Sequence, residues 1–444
     1  MNYLPTFFQN PIPNLNEMAQ QSQRKATFKL VSYYHYFKYL LVAYLFISLI
    51  ICIIVSIIFI KGKNKVFHQF WYNQPIYHKT IINIDYLFPW LRKPYVIEPN
   101  PPEVNKWVNY NMIKFVPVLD LSDDILKNIA DFLSNNYKTT NYDGFKYSTS
   151  SKHFHCALVN HNSPSYIGIY YNNDIIKGTI TSHPLNIDIY ENNKPIIIHD
   201  DLNYENVVNY VDNLCVDFNE RKQDLAPTLI RTIYHKIRHT NFTTKIALFK
   251  RENFKSSYVV PLVSYETAIY NIENWFYKKI KIHDECKLLQ VTAHNIHLLY
   301  AFMYNNKKEF FDVFIYPDMT NIIELLNHDI MFIYMIMRGD DICSVYFFKD
   351  AATLYNDKTT IECIGSINAK QTHNFFVQGF YYSLEKLKTA HNFNNLHLEV
   401  LGHNTILYKL LSKANTPFII SNTALVFYNY KYKEIDAKRV CMLG

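Results

Sequence analysis

The chain has 444 residues, 49% of them apolar or tyrosine and 19% charged, which exceeds what one hydrophobic core usually organises and reads as two globular units or one fused pair. Its net charge of +7 is spread along the chain without a block of like charges, which argues against a nucleic-acid partner. The seven cysteines stand at wide, irregular spacings, unlike a zinc site or a redox motif, and read as the reduced cysteines of a domain facing the cytosol.

A polar tail, residues 1–38, precedes an uncharged run from Tyr39 to Ile60 that contains Ser48, Ser56 and Cys52. At 1.5 Å of rise per residue such a run crosses a hydrocarbon core of roughly 30 Å, so residues 39–60 are predicted to be a transmembrane helix. The run is too long and too far from Met1 for a cleaved signal peptide. Arg24, Lys25, Lys29 and Lys38 on one side balance Lys61, Lys63, Lys65 and Lys79 on the other, so charge does not set the orientation. The excess of 37 Tyr and 31 Phe over 9 Gly reads as the coding bias of an A/T-rich genome, such as that of a large DNA virus or a parasite. The expectation is a single-pass membrane protein with a cytosol-facing domain, in a viral or virion membrane if the genome is viral.

Beyond residue 65 strands alternate with amphipathic helices. Pro94, Pro99, Pro101 and Pro102 make residues 90–102 an extended connection. A helix follows Leu121, with Ser122 and Asp123 as cap candidates and Ile125, Ile129, Phe132 and Leu133 on one face. Residues 166–171 and 175–181 flank the turn Asn172, Asn173, Asp174 as a hairpin, and residues 187–198 form another strand pair about Glu191 to Lys194. Leu214, Cys215 and Val216 read as a buried strand end. A helix then starts near Ala226, with Pro227 in its first turn and Leu229, Ile230, Ile233 and Ile237 on its core face.

That order of helix, strands, central strand, polar loop and helix is the order of a GNAT-like acyltransferase unit. The second half repeats it: a strand over 312–316, a helix with Ile322, Leu325 and Leu326, strands over 332–337 and 344–349, a strand near 361–368, a helix over 372–389 and a strand over 396–400. The predicted class is therefore α/β (α+β), two fused GNAT-like units after one transmembrane helix. Residues 61–245 are the N-terminal half, 246–285 a connecting segment and 286–444 the C-terminal half.

Particular residues resemble the glycylpeptide N-myristoyltransferase family. Phe70, Trp71, Gln74 and Pro75 are similar to its F-W-x-x-Q-P signature, and Ile97, Glu98 and Pro99 to its I-E-P step. Asn136, Tyr137, Phe145, Lys146, Tyr147, Ala157 and Leu158 follow its N-Y…F-[RK]-[FY]…A-L stretch, and Ile189 and Tyr190 its I-x-I-Y strand. Residues 214–216 and 220–227 resemble its L-C-V…R-S-K-R-x-A-P segment. The likeness runs from about residue 67 to 245 and is weak afterwards.

The resemblance implies transfer of a myristoyl group from myristoyl-CoA to the N-terminal glycine amine of a peptide or protein. It makes myristoyl-CoA an acyl-donor substrate with no permanently bound cofactor. The backbone amides of Asn213 and Leu214 would stabilise the negative charge that grows on the thioester carbonyl. Cys215, Val216, Arg221, Lys222, Leu225 and Ala226 would hold the CoA pyrophosphate and its arm at a helix start. Gln69, Phe70 and Trp71 would contact the acyl-CoA's bent chain. The ending AKRVCMLG at 437–444 resembles the family's A-x-K-V-G-L-V-L, so Gly444 would carry the α-carboxylate that serves as base.

There are departures. Asn213 stands where the family has Phe, Lys222 where it has Ser, and Asp224 where it has a second Arg. Thr139, Thr140 and Asn141 replace an acidic run, residues 412–421 contain no counterpart of the K-F-G-x-G-D-G loop, and residues 257–263 none of R-Y-W-H-R. These suggest an alternative: a catalytically inactive N-myristoyltransferase-like membrane protein with a binding or virion structural role. His153 with His155, and His294 with His297, lack nearby acidic or thiol partners in sequence, so no metal is expected. Asn241, Phe242 and Thr243 form a lone glycosylation acceptor, read as accidental.

Overall fold

The uncharged run lies inside a single helix, α1 (Leu15–Phe67), 53 residues long. In this computed structural model the described residues are 15–67, 69–79, 93–138, 142–198, 206–241, 244–254, 258–275 and 282–444. The tail before Leu15, the start of the proline-rich connection, Thr139 to Asn141, Phe242, Thr243 and Ser257 lie outside them. The chain divides into two compact units, the first ending at Tyr72 and the second running from Asn73 to Gly444.

In the first unit α1 is longer than the predicted span because no glycine or proline interrupts residues 15–61. Leu40, Val42, Leu45, Ile47, Leu49 and Ile51 are all more than half exposed. Within α1, Met18–Ser56 is long and apolar enough to cross a membrane. The short helix α2 (Gln69–Tyr72) ends this unit.

The second unit is built twice from the same sequence of elements. The first pass runs β1 (Tyr95–Val96), β2 (Ile113–Pro117), α3 (Asp123–Asn136), β3 (Phe145–Tyr147), α4 (Ser151–Cys156), β4 (Tyr166–Asn172), β5 (Ile175–Glu191), β6 (Lys194–Ile196), β7 (Val207–Val216), α5 (Leu225–Thr240) and β8 (Ala247–Glu252). After β9 (Val263–Asn271) the second pass runs β10 (Cys286–Gln290), α6 (Ile296–Phe310), β11 (Val313–Tyr316), α7 (Met319–Asn327), β12 (Met331–Arg338), β13 (Asp341–Tyr355), β14 (Lys358–Asn368), α8 (His373–His391) and β15 (Asn395–Glu399). It closes with α9 (Asn404–Ala414), β16 (Ile419–Tyr428), β17 (Tyr430–Lys431) and β18 (Val440–Met442).

In the first pass β2, β4, β5 and β7 pair antiparallel in that order, then α5 crosses over and β8 joins β7 parallel. In the second, β10, β12, β13 and β14 do the same, and α8 leads to β15 parallel to β14. This is the repeated α/β unit that the element order predicts. Strands β8, β16, β9 and β15 pair side by side and fuse the two passes into one 16-stranded sheet. Both β8 and β9 come from residues 246–285.

Local chemistry explains the elements that frame the site. In α5, Leu225, Leu229, Ile233 and Ile237 recur every four residues and pack on Ile113, Tyr166, Ile180 and Val216. In α3, Leu126, Ile129, Phe132 and Leu133 are buried, with Ile125 at the edge of the same cluster. The hairpin after β4 turns on Asn173 and Asp174, both left-handed, a turn that matches the strand twist.

Candidate active site

Strand β7 carries a bulge. Thr179 pairs with Cys215 and Thr181 with Asp212, so Asn213 and Leu214 together oppose the single residue Ile180. Asn213 has φ 52°, and asparagine is among the few side chains that tolerate this region. Two wholly buried threonines pin the kink to β5. Thr179 Oγ1 donates to the Asn213 carbonyl at 3.0 Å, and Thr181 Oγ1 donates to the Asp212 carbonyl at 3.0 Å. Asn213 Nδ2 in turn donates to Thr181 Oγ1 at 3.1 Å. A bulge takes backbone amides off the ladder and aims them elsewhere. The Asn213 amide donates to its neighbour's carboxylate, Asp212 Oδ1, at 2.7 Å. Leu214 is 37% exposed beside it.

The following residues, Cys215 and Val216, are buried. Burial pushes the Cys215 thiol up to about 12 although Arg221 pulls the other way, so the thiol stays protonated and is a poor nucleophile. Arg221 straps the strand end to α3: its Nε donates to the Val216 carbonyl at 3.1 Å and its Nη2 to the Asn136 carbonyl at 3.0 Å. Asp217 accepts from the Asn219 amide at 2.9 Å and pairs with Lys177 at 2.8 Å, fixing the turn. Lys222 and Asp224 both have positive φ, 66° and 59°. Asp224 occupies the cap position of α5 without a side-chain cap bond, so its carboxylate leaves the first-turn amides of Leu225 and Ala226 to other partners.

One cavity of about 810 Å³ collects these residues. Asn213, Leu214, Cys215, Val216, Arg221, Lys222, Asp224, Leu225 and Ala226 line it, and so does Gly444, from the other end of the second unit. Gly444 reaches it because β18 pairs in parallel with β11 and the Leu443 amide donates to the Ile315 carbonyl at 2.9 Å. Leu185 of β5 packs so closely on Gly444 that a Cβ there would stand 2.8 Å from its side chain. Gln69, Phe70 and Trp71 form α2 in the first unit, where the Phe70 and Trp71 rings meet edge-on at 5.0 Å.

Sequence reasoning missed a cluster of four ionisable groups in the same cavity, among others: Lys250 of β8, Glu362 of β14, and His397 and Glu399 of β15. Lys250 Nζ bonds Glu399 and lies 3.8 Å from Glu362, while His397 Nδ1 lies 3.4 Å from Glu362. The signal for them was present: charges set among apolar residues in LFKRE, IECIG and NLHLEV, with His397 and Glu399 two apart on one strand face. Burial raises Glu362 above the carboxylate range, and the Glu399 charge adds to this. Burial acts the same way on Glu399, but Lys250 and His397 outweigh it and hold that group low. His397 is pushed down to about 4, chiefly by burial.

Because folded Glu362 holds its proton while the unfolded chain releases it, wild-type stability falls as pH rises past the ordinary carboxylate range. Glu362→Gln cannot ionise, so its stability relative to wild type is expected to rise between about pH 5 and about pH 8. Thermal melts at both pH values check this, and a pH-independent difference would refute it.

Glu362, His397 and Glu399 are close enough to hold a cation, and the Lys250 ammonium already fills that role. Cys156, Glu324 and His328 form a second such group. Neither contains the histidine pairs singled out in the sequence: His153 and His155 sit on α4, and His294 and His297 are exposed.

Comparison with solved structures identifies the fold. Saccharomyces cerevisiae N-myristoyltransferase with bound myristoyl-CoA superposes with TM-score 0.64 at 13% identity, covering 86% of this chain and 95% of that one. A second structure of the yeast enzyme with myristoyl-CoA gives 0.61 at 13% identity over 84% and 94%. A third, with myristoyl-CoA and inhibitors, gives 0.63 at 15% identity over 85% and 94%. No family model matches the sequence, and no curated protein sequence does. The chain has the N-myristoyltransferase fold.

Proposed function

We propose that this chain transfers a myristoyl group from myristoyl-CoA to the N-terminal glycine amine of a peptide or protein. One observation carries the reading: the bulge at Asn213 and Leu214 opens into the same cavity as the uncapped start of α5. A thioester carbonyl at the bulge would meet backbone donors, and the CoA pyrophosphate would lie on the amides of Leu225 and Ala226 beside Arg221 and Lys222. The amine attacks the thioester carbon, the C–N bond forms, the C–S bond breaks, and CoA leaves as the thiol. In this reading Gly444 contributes the α-carboxylate that deprotonates the incoming ammonium. Residues 39–60 anchor the protein in a membrane, and the catalytic domain faces the cytosol, where myristoyl-CoA is found.

A second reading rests on a specific contact. The Asn213 amide, one of the two oxyanion donors, is bonded to the Asp212 carboxylate, and Asp224 adds a negative charge at the pyrophosphate position. A cavity so furnished would bind acyl-CoA without turning it over, as an inactive relative with a binding or structural role. The test uses the full chain in detergent with labelled myristoyl-CoA, measuring binding first and then transfer to a Gly-initiated peptide. Binding with transfer is the expected result, binding without transfer selects the second reading, and no binding sinks both.

A further inference from the structure

Strand β5 runs beneath the whole reaction path. Thr181 holds the bulge from below, and Leu185 packs on Gly444. Side chains two apart on a strand share a face at roughly 6–7 Å spacing. The residue midway between those two is His183, which lines the cavity.

His183 is 8% exposed; its Nδ1 is wholly buried and has no hydrogen-bond partner among the described residues, and its Nε2 bonds to none of them either. Buried polar groups are normally paired, so an imidazole in a cavity wall with neither nitrogen bonded points to a ligand, which Nε2, the nitrogen not sealed off, would meet. The groups facing it come from three directions. His161, between α4 and β4, stacks on the ring at 5.3 Å. Tyr210 of β7 meets it edge-on at 5.3 Å, and Lys349 of β13 lies in the same cavity. His161 lies 3.7 Å from Asp318, whose carboxylate accepts from Asn162 and Asn186. Stacked rings do not pass protons between them, so His161 acts on His183 through its field and not as a relay.

We propose that His183 is the proton shuttle of the transfer reaction: its imidazole takes a proton from the nitrogen of the tetrahedral intermediate and delivers it to the departing thiolate. The nitrogen loses one proton, the sulfur gains it, and the imidazole ends as it began. This rests on the acyl-transfer reading and adds a residue to it. Burial, then His161 and Lys349, keep the imidazole well below its ordinary range, so at neutral pH it enters the cycle uncharged and able to accept.

The test is single-turnover transfer by the full chain in detergent, followed across pH, with myristoyl-CoA affinity measured alongside. His183→Gln is expected to leave affinity within about 2-fold and lower the transfer rate about 100-fold. His183→Ala is expected to lose the same activity and regain part of it on addition of free imidazole, which a purely structural role would not produce. A Gln variant that transfers within about 3-fold of wild type at every pH, or an Ala variant that folds yet ignores imidazole, overturns the shuttle while leaving acyl transfer intact. A wild-type chain without transfer removes the reaction and the shuttle together.

Discussion

Lys250→Met is expected to destabilise the second unit by about 3–5 kcal/mol, because it leaves the Glu399 carboxylate buried without its counter-charge. Glu399 is 5% exposed and its side chain is held between Lys250 and His397. Burial opposes its charge, and the Lys250 ammonium does most to keep it ionised. The lysine depends on the pair in return, since Glu399 overcomes the burial that would otherwise neutralise it. The same reasoning makes the double variant Lys250→Met with Glu399→Gln less damaging than Lys250→Met alone, since no charge is stranded. Urea midpoints of wild type and both variants decide it. A single variant within about 1 kcal/mol of wild type, or a double variant worse than the single, would show that the pair is not coupled as described.

Leu443→Ala is expected to cost about 2–5 kcal/mol, the range for a large buried side chain whose site cannot collapse. Leu443 is 1% exposed and belongs to the core cluster containing Phe311, Phe314, Val345 and Phe347. Its Cδ2 would stand only 2.7 Å from a Cβ on Gly365, so the side chain lies directly against the β14 backbone. A strand cannot move inward to fill the void without breaking its pairing with β13. Leu214→Ala, 37% exposed at the bulge, serves as the contrasting case and should alter stability far less. Denaturation of both variants tests the ranking, and equal losses would refute it.

The parts of this fold legible in the sequence are those written in short-range chemistry. The hairpins at Asn173 and Asp174 and at Asn192 and Asn193 declare themselves through residues that tolerate positive φ. The α5 helix follows from its four-residue apolar spacing and Pro227. Thr372 as a helix start is visible too, and its hydroxyl accepts from the Phe375 amide. The bulge was less legible. Asn213 marks it, but only the pairing register with Thr179 and Thr181 reveals two residues opposing one. The Lys250, Glu362, Glu399 and His397 cluster was not assembled at all, because its members lie on three strands whose adjacency depends on the order of the whole sheet. His183 was passed over for the same reason: its setting comes from Tyr210, His161 and Lys349, none of them near it in the chain.

The 17 residues of β5 hydrogen-bond to β4 and β7, and the last of them also to β11, the neighbour of the C-terminal strand β18. A clamshell motion, with the two repeats swinging apart to admit a long ligand, would have to break the pairing of β11 with residues 186–189 of β5 and separate β8 from β16. The continuous pairing of the sheet therefore holds the bulge and Gly444 at a fixed separation.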